Sequence, residues 1–76
     1  MERNLKCIFG EQLRQVRSMA NLPRADLAYR CGWQGQAGLR RIAQYEQAQR
    51  LPNLEDLCRI ADALRCTTDR LLGRSG

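Results

Sequence analysis

The sequence contains no histidine, which removes the side chain most often used as a general base and with it every Ser-His or Cys-His nucleophile pair. Its carboxylates, Glu2, Glu11, Asp26, Glu46, Glu55, Asp56, Asp62 and Asp69, mostly fall beside arginine or in the first turns of expected helices. None forms an acid/base couple, and the chain is expected not to be an enzyme. The four cysteines, Cys7, Cys31, Cys58 and Cys66, form no C-x-x-C pair. Without His a zinc site would need all four widely spaced thiolates, so no metal or other cofactor is expected. Cys31, Cys58 and Cys66 fall where a helical pattern calls for an apolar residue, and they read as small buried hydrophobes. Only four aromatic residues are present, too few for a platform on which single-stranded bases stack. No apolar run approaches the roughly 20 residues of a membrane span, and Met1 to Lys6 lacks a signal-peptide core, so a cytoplasmic protein is expected.

What is present fits one small domain spanning residues 1–76, with its core over about 8–73. Hydrophobic residues are 43% and charged residues 28%, which excludes global disorder and low-complexity architectures. The net charge of +5 is unevenly spread. Residues 1–50 hold 9 Lys/Arg against 4 Asp/Glu, whereas residues 51–76 hold 4 against 4. A basic part beside a neutral part is the asymmetry expected when one face meets a polyanion, although an ordinary solvated basic surface has the same arithmetic.

Apolar spacings of three and four, with no alternating β-branched stretch, predict an all-α chain of five helices. The first runs from about Arg3 to Ala20, with Phe9, Leu13, Val16 and Ala20 on its inner face, and Asn21 ends it. The second starts at Pro23 and turns Leu27, Ala28 and Cys31 inward before Gly32. After a glycine-bearing turn, the third places Leu39, Ile42, Ala43 and Glu46 inward and Gln36, Arg40, Arg41, Gln44 and Gln47 outward. The fourth follows Pro52, where Asn53 and Asp56 are spaced like a capping box, with an apolar stripe of Leu54, Leu57, Cys58, Ala61 and Leu64. Thr67 caps a short fifth helix that ends at Gly73, leaving Arg74 to Gly76 as a frayed tail.

A short second helix, a turn and a third helix with a polar outer face are the parts of a helix-turn-helix. The pattern Phe9-Gly10-x-x-Leu13-Arg14-x-x-Arg17-x-x-x-Asn21-Leu22-Pro23-Arg24-x-x-Leu27-Ala28-x-x-x-Gly32, then Ile42-x-x-Tyr45-Glu46 and Pro52-x-Leu54-x-x-Leu57-x-x-Ile60-Ala61-x-x-Leu64, resembles the Cro and lambdoid-repressor type of helix-turn-helix regulator, also called XRE-like. The likeness covers about residues 8–73. It implies a compact five-helix, lambda-repressor-like domain that dimerises and lays its third helix in the major groove of DNA. Two departures stand out: residues are inserted between Gly32 and Glu46, and Arg65 replaces the glycine common after the fourth helix.

Arginine offers a planar fork to guanine O6 and N7, and glutamine a donor and acceptor to adenine N6 and N7. Residues 34–50 are rich in both, with Glu46 the only acid. Gln36, Arg40, Arg41 and Gln44 are therefore the base-reading set, with an ordinary polar surface as the competing reading. Gln34, Gln47, Gln49 and Arg50 are the expected phosphate contacts. By the resemblance Arg24 anchors a phosphate, and Arg17 and Glu46 form an ion pair joining the first helix to the end of the third. Trp33 reads as a packing plug of the enlarged turn. Leu64, Leu71 and Leu72, in the neutral C-terminal part, are the expected dimer surface, unless they only close the monomer core.

The reading is thus a regulator, most simply a repressor, acting as a homodimer on a palindromic double-stranded operator in a phage, restriction-modification or antitoxin context. The alternative is a helical protein-interaction module, such as an antitoxin masking a toxin, whose basic face binds an acidic protein. Only DNA reading demands both a steep salt dependence and a preference for one duplex sequence.

Overall fold

The computed structural model describes residues 4–74, and Arg3, Ser75 and Gly76, expected at the start of the first helix and in the tail, lie outside them. Five helices form: α1 Leu5–Met19, α2 Arg24–Arg30, α3 Gly35–Glu46, α4 Leu54–Leu64 and α5 Thr68–Leu71. Polar side chains set three of the starts. Asn4 Oδ1 accepts from the Cys7 amide at 2.9 Å, Asn53 Oδ1 from the Asp56 amide at 2.8 Å, and Thr67 Oγ1 from the Arg70 amide at 3.1 Å. Each satisfies one of the amides that a first turn leaves unpaired. A left-handed residue follows each of the five helices: Asn21 at φ 53° after α1, Gly32 at φ 82° after α2, Ala48 at φ 62° after α3, Arg65 at φ 54° after α4 and Gly73 at φ 73° after α5. Arg65 holds this conformation without glycine's freedom, and its amide still bonds back to Asp62 O.

Phe9, Leu13, Leu27, Ile42, Tyr45, Ile60 and Leu71 are fully buried and bring all five helices into one core. Tyr45 sits at its centre, edge-on to Phe9 with ring centroids 5.9 Å apart and tilted against Trp33 at 6.3 Å. α1 packs tightly on the end of α3 at Gly10, where a Cβ would stand 2.6 Å from the Tyr45 carbonyl oxygen.

Several inward expectations are corrected. Ala20 is exposed because α1 ends at Met19, and Leu39 and Ala43 are only half-buried, their expected places in the core being taken by Gly38 and Tyr45. On α4, Leu54 is 82% exposed and Cys58 is exposed too. The buried stripe is Leu57, Ile60, Ala61 and Leu64. At about 100° per residue Cys58 is turned well away from the line between Leu57 and Ile60, and Leu54, in the first turn, overhangs no neighbour.

Cys31 does behave as a buried hydrophobe. Burial pushes its thiol up from the ordinary 9.0 to about 11, against the opposing pull of the Arg59 guanidinium. Burial likewise raises the Tyr45 phenol and the Cys66 thiol. A raised acid keeps its proton in the folded chain after the unfolded chain has lost it, so the unfolded state binds fewer protons and stability falls as pH rises from 9.0 toward about 11. For Cys31 the loss is at most about 3 kcal/mol. Urea unfolding at about pH 8.5 and about pH 10.5 should show the decline, and Cys31→Ala should flatten part of it, the Tyr45 phenol and Cys66 thiol carrying the rest. A decline unchanged by that substitution would place its source elsewhere.

Candidate nucleic-acid interface

The unit α2–turn–α3 is held together at close range. The Trp33 amide donates to Ala28 O at 2.8 Å, and a Cβ on Gly38 would meet the Trp33 carbonyl oxygen at 2.5 Å. Only glycine lets α3 approach the turn so closely. Of the residues between Gly32 and Glu46, Trp33 and Gln34 form the turn and the others all belong to α3. The long interval between Gly32 and Glu46 is therefore taken up by helix rather than by an enlarged turn, and α3 begins with Gly35 at φ 71°. At 1.5 Å per residue, the 12 residues of α3 span about 18 Å, and a helix of this diameter enters a major groove.

Gln36, Arg40 and Gln44 recur every four residues, so each is offset by about 40° from the last and they share one strip of α3. Gln36 and Arg40 are exposed, while Gln44 is half-buried and accepts from Arg50 Nη1 at 3.4 Å. Gln47, also exposed, falls on the same strip at the helix end and accepts from Gln49 Nε2 at 2.9 Å. Gln34 is exposed at the N-terminal end, and Arg50 is exposed with its guanidinium 5.6 Å over the Tyr45 ring. Glu46 is turned inward with a side chain that is 0% exposed. The outward strip thus carries no carboxylate, and its field is uniformly attractive to phosphate.

Arg41 departs from the expected set. Lying about 100° round from Arg40, it stacks its guanidinium 4.5 Å from the Trp33 ring and puts Nη1 3.5 Å from Asp56 Oδ2. It ties the turn to α4 and is half-buried, so it does not stand on the strip with Arg40. Trp33 packs against the core as a plug for the turn, and Arg41 is the lid on its outer side. Asp56, which the sequence marks only as part of a helix cap, is the unforeseen member of this contact.

Glu46 gathers two arginines. Arg17 donates from Nε to Oε2 at 2.6 Å and from Nη2 to Oε1 at 3.3 Å, while its Nη1 donates to Leu22 O at 2.9 Å. Arg24, at the start of α2, donates from Nε to Oε1 at 2.8 Å. The link from Arg24 to Glu46 is absent from the sequence reading, since residues 22 positions apart give no local signal.

The leucines expected at a dimer surface are placed differently. Leu71 is 0% exposed and Leu64 is 8% exposed, both inside the monomer core, and Leu72 packs partly against it. Four-residue α5 has one apolar side to offer and spends it on α1 and α4.

Two short helices crossing at a tight turn, the second bearing a basic, acid-free outer strip, define a helix-turn-helix protein that binds DNA. The family model described as helix-turn-helix domain matches residues 8–72, and the chain belongs to that family. Within it the chain is an XRE-like DNA-binding transcription regulator. Its structure is similar to the restriction-modification controller protein C.AhdI from Aeromonas hydrophila, with a TM-score of 0.77 and 26% identity over 87% of this chain and 94% of that one. No curated protein matches the chain. Among the described residues no helix is long and apolar enough to cross a membrane.

Proposed function

We propose that this protein is a repressor that binds a two-fold-symmetric operator as a homodimer in the cytoplasm, reading bases with Gln36, Arg40 and Gln44. The observation that carries the proposal is their alignment on one acid-free strip of α3. Arg24, Gln34, Gln49 and Arg50, with Gln47 at the end of the strip, serve as phosphate contacts, which fix the register of the helix without reading sequence. Of the contexts open to such a regulator, likeness to a restriction-modification controller favours control of a restriction-modification system.

Selection of bound sites from a random duplex pool, followed by footprinting, tests the reading. Arg40→Ala should then cost about 1–3 kcal/mol on the selected site and flatten the preference at one base pair, while random duplex loses only the effect of one charge. Arg24→Ala should weaken all duplexes alike and lower the salt slope by about 0.9. A base preference that survives alanine at Gln36, Arg40 and Gln44 would show that α3 is not the reader. Equal affinity for selected and random duplex would favour a protein-interaction module.

The proposed dimer uses the C-terminal part, where Leu72 keeps some exposed surface and Leu54 is 82% exposed. Its recognition helices should meet half-sites whose centres lie about 34 Å apart. Sedimentation of a monomer both free and on the selected duplex would overturn this.

A further inference from the structure

We infer that Glu46 is a positioning residue for DNA binding, holding Arg24 by Nε so that its two terminal nitrogens face a phosphate as a fork. The inference rests on the reading of Arg24 as a phosphate contact and adds to it what aims that contact. Glu46 has no access to water, and its carboxylate accepts from both arginines. The two guanidiniums differ in what they have left. Arg17 is fixed by donations from Nε and both terminal nitrogens, and its side chain is 19% exposed. Arg24 is held at Nε alone, is 43% exposed, and has no partner for its terminal nitrogens among the described residues. A guanidinium gripped at Nε points its opposite edge away from the grip, and that edge matches two oxygens of a phosphate. Two guanidiniums on one carboxylate also leave an excess positive charge at the start of α2, which a phosphate would neutralise. Because Glu46 is the last residue of α3, the grip fixes the backbone contact of α2 relative to the reading helix.

The sign of one substitution separates positioning from plain electrostatics. Removing a negative charge near a polyanion tightens binding, whereas losing the grip on Arg24 loosens it. Glu46→Gln keeps the shape and discards the charge. On random duplex of fixed length at low salt, Glu46→Gln is expected to bind severalfold more weakly than the parent protein. In an Arg24→Ala background the same change should produce no further weakening. Equal or tighter binding by Glu46→Gln, or a full additional loss in the Arg24→Ala background, would overturn the inference. Arg24→Lys gives a second reading that leaves the Glu46 carboxylate charged and paired with Arg17, and it decides alone if circular dichroism shows Glu46→Gln unfolded. Lysine keeps the charge, but its single ammonium cannot grip Glu46 and fork a phosphate together. It should bind nearly as weakly as Arg24→Ala, and parental affinity would refute the fork. Unchanged affinity in Arg24→Ala itself would remove the phosphate contact, and the positioning of it too, while a loss in Arg24→Ala with none in Arg24→Lys would remove the positioning alone.

Discussion

Glu46→Ala is expected to lower thermal stability by about 3–5 kcal/mol, the cost of breaking an ion pair that is removed from water. For a domain of this size each kcal/mol moves the midpoint by about 4–8 °C, so the melting temperature should fall by more than about 12 °C. The carboxylate is 0% exposed and its principal partner Arg17 only 19% exposed, so solvent can restore little of what is lost. Alanine also leaves Arg17 with Leu22 O as its only acceptor among the described residues and removes the ion pair that ties α1 to the end of α3. The pair Arg59–Glu55 supplies the internal contrast: it is separated by 3.0 Å, but its side chains are 49% and 74% exposed. Such a pair contributes under about 1 kcal/mol, and Glu55→Ala should shift the midpoint by less than about 8 °C. A loss of only a degree or two in Glu46→Ala would mean that water reaches the carboxylate in solution.

Gly10→Ala is expected to destabilise the protein although alanine is the better helix former. In the interior of α1 the exchange gains about 1 kcal/mol from helix propensity. Against this, the new methyl would stand 2.6 Å from the Tyr45 carbonyl oxygen and 3.0 Å from that of Glu46. Both obstacles are backbone atoms, which cannot rotate aside as a side chain would. Overpacking of this kind costs about 1–3 kcal/mol, toward the upper end where the neighbours cannot move, so the net effect should be a loss of about 1–2 kcal/mol. Chemical denaturation with an unchanged m-value should report it. A stability gain would mean that α1 and α3 separate easily. The same shift would disturb Glu46, so DNA affinity should fall with stability in this variant.

The difference between these two sites shows what a sequence discloses. The partnership of Arg17 and Glu46 follows from a resemblance spanning most of the chain, and the helices follow from apolar spacing. Caps such as Asn53 and Thr67 are legible because their chemistry is local. The grip of Glu46 on Arg24 and the placement of Arg41 between Trp33 and Asp56 depend on how helices cross, and spacing along one helix carries no such information. Arg40 and Arg41 are adjacent and chemically identical, so only the position of neighbouring elements separates the one on the outer strip from the one that braces the turn. Leu54 and Cys58 mislead for a related reason. An apolar residue at the margin of a stripe is buried only if a neighbour reaches that margin, and Ile60 lies on the side of α4 that one does reach. Leu71 reverses the error: an apolar residue near the chain end suggests a surface for association, whereas a small domain needs it to close its own core.

Trp33 is the only tryptophan in the chain, and Arg41 lies 4.5 Å from its ring. The protein therefore carries a single indole fluorophore, excitable at wavelengths too long for Tyr29 and Tyr45 and placed in the turn rather than deep among the helices, with a cation against its face. Its emission observes the reading unit selectively, so loosening of the turn is optically distinguishable from melting of the domain as a whole without an attached dye.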